Sequence, residues 1–85
     1  MLPPPTAGAF FYAIFTVAAS GADLSYQWQA SSNGGSTWKN TGLPGNKTAT
    51  LSVEALSARN GFQFRCIVTS GGEHLISDAA SLTIE

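Results

Sequence analysis

The chain has 85 residues and a net charge of −1, with 44% hydrophobic and only 11% charged residues. This length fits one small domain, and the low charge content implies a surface made of uncharged polar residues and glycine. Its four basic residues are scattered along the sequence, which argues against a nucleic-acid partner because phosphate binding needs clustered Lys and Arg.

Residues 1–8 form a proline-rich lead-in, with prolines at positions 3, 4 and 5. Proline fixes the backbone angle φ and removes an amide donor, so this segment is predicted to be a tail or a short edge strand. The domain itself is predicted to span residues 9–85.

The most hydrophobic stretch runs from Ala9 to Ala19 and carries no charge. Its aromatic and β-branched residues favour a strand. It is too short for a membrane-spanning helix, which needs about 20 residues, so no membrane contact is predicted. Side chains alternate between the two faces of a strand, and one face would carry Phe11, Ala13, Phe15, Val17 and Ala19. The other face would carry Phe10, Tyr12, Ile14, Thr16 and Ala18.

Alternation of apolar and polar residues predicts further strands along the chain. They cover residues 24–30, 37–40, 48–55, 62–69 and 74–85, separated by turns at 31–36 and 70–73, a loop at 41–47 and a compact corner at 56–61. Six or seven short strands with frequent turns predict an all-β fold with two packed sheets. The predicted core comprises Phe11, Ala13, Phe15, Val17, Trp28, Leu51, Val53, Phe62, Phe64, Leu82 and Ile84.

Nothing in the sequence predicts catalysis or a cofactor. His74 has only Glu73 and Asp78 nearby, whereas a zinc site needs three or four convergent ligands. The single cysteine, Cys66, cannot form a disulfide within the chain, and among apolar neighbours its thiolate would be poorly solvated. The glycine-containing turn at 33–35 has no following helix, unlike a phosphate-binding loop. A non-enzymatic protein without cofactors or metals is therefore expected.

Two motifs carry a family resemblance. The first reads Ser-Tyr-Gln-Trp-Gln at residues 25–29, followed by Asn-Gly-Gly-Ser-Thr-Trp at 33–38, and the second reads Arg-Asn-Gly-Phe-Gln-Phe-Arg-Cys at 59–66. Together they resemble the immunoglobulin-like repeats of bacterial cell-surface proteins, over about residues 15–84. The resemblance implies an extracellular, immunoglobulin-like sandwich with Greek-key connections and about seven strands. It also implies that Trp28 is the core tryptophan, that Cys66 points inward, and that Phe15 and Val17 stand where many immunoglobulin domains have a partner cysteine.

The opening strand departs from that family pattern. Its outward positions hold Phe10, Tyr12 and Ile14 where polar residues would be expected. An exposed apolar patch of this size calls for an explanation. Either the lead-in or a second copy of the chain covers these side chains, or they contact a partner, as a grafted or selected binding surface would.

The favoured hypothesis is a protein-binding module, an engineered binder on a bacterial immunoglobulin-like scaffold, whose target protein is unknown. Phe10, Tyr12 and Ile14 would anchor the contact, because aromatic side chains dominate interface hot spots. Phe11 would join if the strand leaves the sheet early. Thr50 and Ser52 would form the rim, since the resemblance implies that their strand pairs with the opening one. The alternative is a natural spacer repeat of a bacterial surface protein or adhesin. Weak self-association through the opening strand is a third reading.

Overall fold

The computed structural model describes residues 12–21 and 23–83. Within these residues the chain forms seven strands and one turn of 3₁₀ helix. They are β1 (Tyr12–Thr16), β2 (Ser25–Ser31), β3 (Lys39–Asn40), β4 (Thr50–Glu54), the 3₁₀ turn (Ser57–Arg59), β5 (Gln63–Ser70), β6 (Glu73–Ile76) and β7 (Ala80–Ser81). The all-β fold with about seven strands is confirmed. No helix in this part of the chain is long and apolar enough to cross a membrane.

The strands are arranged in two antiparallel sheets. β1 and β4 form a smaller sheet of two strands, and the larger sheet has the order β3–β2–β5–β6, with β7 also paired to β5. The register places Tyr12 opposite Glu54 in the smaller sheet and Trp28 opposite Cys66 in the larger one. Every pairing joins strands that run in opposite directions, as expected for a sandwich built from hairpins and Greek-key connections.

The core lies between the two sheets and is built from the inward residues of alternating strands. Its buried hydrophobic members are Ala13, Phe15, Val17, Trp28, Leu51, Val53, Phe64, Cys66, Val68, Ala80 and Leu82. The ring of Phe15 lies at centroid distances of 6.3 Å from Trp28 and 4.9 Å from Phe64. The indole nitrogen of Trp28 donates a hydrogen bond of 2.7 Å to the carbonyl of Thr48. Aromatic packing therefore joins the sheets, and the free thiol of Cys66 packs beside it.

The opening strand is shorter than the predicted run from Ala9 to Ala19. It ends at Thr16, although the amide of Val17 still donates to the carbonyl of Ala49 at 3.0 Å. The ladder stops there because the Thr48 amide turns back to the Gly45 carbonyl at 2.9 Å, so no straight partner continues beyond β4. Ala19, predicted on the same face as Phe15 but not as a core residue, is exposed. Residues 9–11 and Ile84 lie outside the described part of the chain, so the core positions predicted for Phe11 and Ile84 stay predictions.

The last strand region, predicted as one unit over 74–85, is divided into β6 and β7. Ile76 lies opposite Ile67 and Ala80 opposite Phe64, so the three residues 77–79 face only two residues of β5. This extra residue makes a β-bulge. Ser77 holds it, since its amide donates to the Cys66 carbonyl at 2.9 Å and its hydroxyl accepts from the Cys66 amide at 2.8 Å.

The return strand predicted at 37–40 is reduced to Lys39–Asn40. Thr37 belongs instead to the loop after β2, where its amide donates to the Asn33 side-chain oxygen at 3.0 Å. The Asn33 side-chain amide in turn donates to the Thr37 hydroxyl at 2.8 Å. These two bonds close the loop before pairing with β2 can begin.

Candidate protein-contact surface

The smaller sheet presents an outward face that combines apolar and hydroxyl side chains. We call it the β1–β4 outer face, and it consists of Tyr12, Ile14 and Thr16 on β1 with Thr50, Ser52 and Glu54 on β4. Cross-strand pairing places Ile14 beside Ser52 and Thr16 beside Thr50. Tyr12 is 58% exposed and Ile14 is 47% exposed, so two large apolar side chains meet solvent on this face.

The orientation of these side chains is fixed by their neighbours in the sequence. Ala13 and Phe15 are completely buried between the sheets. Because successive side chains of a strand point to opposite faces, Tyr12 and Ile14 must point away from the core. A shift of one residue would exchange the two sets and expose Phe15, which strongly specifies the observed register.

Four of the six predicted contact residues lie together on this face. Tyr12, Ile14, Thr50 and Ser52 occupy neighbouring positions of β1 and β4. The other two, Phe10 and Phe11, lie outside the described residues, so their predicted contribution stays a prediction.

The edge of β4 that faces away from β1 is covered by the loop at 43–48. The Ser52 amide donates to the Pro44 carbonyl at 3.0 Å, and the Thr48 hydroxyl donates to the Thr50 carbonyl at 2.8 Å. This loop leaves Thr50 exposed and Ser52 half-buried. In the part of the chain that the structure describes, no strand pairs with the opposite edge, on β1.

Sequence reasoning missed a second exposed apolar region, on β6. Leu75 is 70% exposed and Ile76 is 56% exposed. Leu75 lies opposite the buried Val68 and so belongs to the core side of the sheet, but the narrow smaller sheet does not cover it. An open cleft of about 150 Å³ remains there, lined by Val17, Ala18, Ala19, Val68, Leu75, Ile76 and Ser77. The adjacent pair Leu75-Ile76 was the available signal, because two successive strand residues cannot both point inward.

The potential metal ligands do not converge among the described residues. No group of three or more His, Cys, Asp or Glu side chains there could hold a metal ion. The Nδ1 atom of His74 lies 2.8 Å from the hydroxyl of Thr69, its cross-strand neighbour on β5.

Burial controls the chemistry of Cys66. Loss of solvation raises the pKa of its thiol from 9.0 to about 11, against a smaller lowering by a backbone hydrogen bond from Gln27. The thiol, already mostly protonated at neutral pH, therefore stays protonated further into the alkaline range in the folded protein, which disfavours the thiolate, the nucleophilic form of cysteine.

A pH dependence of stability follows from this raised pKa. Above pH 9 the unfolded chain ionises at Cys66 while the folded chain does not, so the stabilisation present below pH 9 is lost as the pH rises to about 11. Between these two pH values the free energy of unfolding should fall by up to about 1.4 kcal/mol per pH unit because of this thiol. Urea unfolding across this range checks it. A Cys66→Ala variant should lose this component of the slope, and an unchanged slope would contradict the assignment.

The comparisons with known proteins identify a family. A family model described as "Domain of unknown function (DUF8696)" matches residues 10–85, which include both sheets. No curated protein and no solved structure matches the chain. The chain therefore belongs to the DUF8696 family of domains of unknown function.

Proposed function

We propose that this domain is a non-enzymatic, immunoglobulin-like protein-binding module that contacts a partner protein through the β1–β4 outer face. The observation that carries the proposal is the exposure of Tyr12 and Ile14 on a strand whose other face is buried. Their anchoring role would be supported at the rim by Thr50 and Ser52.

The size of this apolar surface suits an anchor. Burying two such side chains removes roughly 200 Å² from water, on the order of 5 kcal/mol at 25 cal/mol per Å² before association costs. Tyrosine is enriched among the few residues that dominate binding energy. The only formal charge on the face is that of Glu54, so binding would depend on buried apolar area more than on charge.

The packing around Trp28 supports the immunoglobulin-like part of the proposal. Trp28 lies opposite Cys66 in the pairing of β2 with β5. Phe15, which with Val17 stands where many immunoglobulin domains have a second cysteine, packs against both Trp28 and Phe64. The match of the family model begins at residue 10 and includes β1. The opening strand therefore belongs to the matched domain. This holds whether its apolar outward face was inherited or engineered.

A spacer repeat is the second candidate, favoured by the outward face of the larger sheet. The Gln29 side chain donates to the Asn40 side-chain oxygen at 3.0 Å and accepts from the Arg65 guanidinium at 2.9 Å. The same guanidinium lies 4.3 Å from the ring centroid of Trp38. Polar groups satisfied within the chain in this way are typical of an inert surface.

The double variant Tyr12→Thr/Ile14→Lys tests the binding proposal. Immobilised wild-type and variant domains are exposed to the same protein mixture, and the retained proteins are compared by quantitative mass spectrometry. Binding of any protein captured through the β1–β4 outer face should weaken by about 100-fold or more, since two hot-spot side chains are removed. The melting temperature should stay nearly unchanged, because neither side chain is in the core.

A Ser25→Lys variant provides the matched control, since Ser25 is exposed on the larger sheet and the change adds the same charge. Retention by wild type and control, with loss in the double variant, supports the proposal. Equal retention by all three would place binding elsewhere. A large fall in melting temperature would place Tyr12 and Ile14 in the core, and absence of retention by the wild type would favour a spacer.

A further inference from the structure

The larger sheet has two open edges with different chemistry. In the order β3–β2–β5–β6, the outermost strands are β3 and β6, and no described strand pairs beyond either of them. Such edges present unpaired amides and carbonyls that can pair with another chain. Soluble proteins commonly protect them with charged side chains or proline on the strand. Here β3 carries Lys39 and β6 carries Glu73, charges that repel a like edge but not the unlike one.

The two edges have opposite charge. β3 carries Lys39, and Lys47 lies near the same side, because the carbonyl of the preceding Asn46 accepts a hydrogen bond of 2.8 Å from the Trp28 amide of β2. β6 begins with Glu73, and Asp78 follows in the bulge. A symmetric contact between two β6 edges would bring these acidic residues together, whereas a contact between β6 and β3 joins acid to base.

Strand direction and side-chain orientation also fit a contact between β6 and β3. Successive strands of this sheet are antiparallel, so β3 and β6 run in opposite directions. A second copy placed sideways in the same orientation therefore meets the first in an antiparallel pairing. Lys39 lies on the core side of the sheet because it pairs with Ala30. Glu73 lies on the same side because it is two residues before Leu75, which pairs with the buried Val68. Lys39 of one copy can thus lie beside Glu73 of the next, on one face of a continuous sheet.

We propose that the domain associates with further copies of itself head to tail, the β6 edge of one copy pairing with the β3 edge of the next. The contact is heterologous, so it builds an open chain of domains unless the rotation between copies closes a ring. The contact surface is separate from the β1–β4 outer face, and the proposal does not depend on the proposed function.

The association should be weak and sensitive to salt. β3 contributes two residues and β6 four, and the bulge after Ile76 ends the straight edge. Such a junction is far smaller than the roughly 1,200–2,000 Å² buried by stable interfaces. Lys39 and Glu73 are each exposed in the single domain, so added salt would screen the attraction between them.

The full chain is tested by sedimentation velocity from about 10 μM to about 1 mM, a range that covers weak dissociation constants, together with amide NMR spectra at the same concentrations. We expect the sedimentation coefficient to rise with concentration, and less so in high salt. Amide shifts should move on β3 and β6 together. Absence of association at the highest concentration overturns the proposal. Shifts confined to β6, or confined to β1, also overturn it in favour of a symmetric dimer or of contact through the opening strand.

Charge reversal supplies the matched variants. Lys39→Glu and Glu73→Lys should each weaken the association by about 2- to 5-fold, the range expected for exposed ion pairs, and the double variant should restore it. Glu54→Lys changes the net charge as Glu73→Lys does, but lies on the smaller sheet, so it should have no such effect. Failure of the double variant to recover would exclude this pairing of edges. The variant Tyr12→Thr/Ile14→Lys should associate like the wild type, which separates this result from that of the partner-binding test.

Discussion

Replacing Phe15 with alanine is expected to lower the free energy of unfolding by about 4 kcal/mol, because Phe→Ala changes in a core cost about 3–5 kcal/mol. Phe15 is fully buried, and its ring contacts both Trp28 and Phe64 of the opposite sheet. Domains of this size have a total stability of roughly 4–13 kcal/mol at 0.05–0.15 kcal/mol per residue. The change therefore removes a large share of the stability, which urea denaturation measures directly.

Tyr12→Ala provides the matched control on the same strand. Tyr12 is another large aromatic residue of β1, three positions before Phe15, but it lies on the outward face. Its removal should change the free energy of unfolding by about 0.5 kcal/mol or less. If Phe15→Ala is too unstable to measure, Phe15→Leu should give a smaller loss of about 1–2 kcal/mol. Equal losses for Phe15→Ala and Tyr12→Ala would show that β1 is covered on both faces.

The strands with clear two-residue alternation were the part of the fold that sequence could predict. In β5, Phe64, Cys66 and Val68 are buried while the residues between them are half-exposed, as the pattern required. The same rule separated Phe15 from Ile14 on β1. Both cases depend only on the geometry of a strand, so neighbouring sequence was sufficient information.

Strand ends were less predictable because they depend on the partner strand. The end of β1 at Thr16 follows from the turn at Gly45 and Thr48 beside it, about thirty residues later in the chain. The break between β6 and β7 follows from the hydrogen bonds between Ser77 and Cys66. Neither Thr16 nor Ser77 indicates a strand end by its residue type, since threonine and serine are common both inside strands and in turns.

The candidate surface was predictable in part for the same reason. The outward positions of Tyr12 and Ile14 followed from alternation alone. Their proximity to Ser52 was expected only from the strand pairing that the immunoglobulin-like resemblance implies, and the register of β1 with β4 has it. The exposure of Leu75 did not, because it faces the core side and only the width of the smaller sheet decides whether it is covered. The number of strands in each sheet is a tertiary property, and the alternation of apolar and polar residues carries no information about it.

Replacing Gly45 with alanine is expected to lower the free energy of unfolding by about 3–4 kcal/mol, although Gly45 is in a loop. Its φ angle is +84°, a region that costs residues with a Cβ atom about 1–2 kcal/mol. An added Cβ would also overlap the carbonyl oxygen of Thr50 and lie 3.1 Å from its carbon. The loop would have to move away from β4, which would disturb the hydrogen bond from the Ser52 amide to Pro44 and the one from the Trp28 indole to Thr48.

Gly61→Ala separates the cost of the positive φ angle from the cost of the steric overlap. Gly61 has nearly the same φ angle, +86°, but no atom lies within 4 Å of an added Cβ there. This control should lose only the backbone contribution of about 1–2 kcal/mol. The difference between the two variants, measured by urea denaturation, then reports the close approach of the loop to β4. Equal losses would mean that the loop yields freely. In that case it could not support Thr50 and Ser52 as a rigid rim, and the β1–β4 outer face would have to bind through β1 alone.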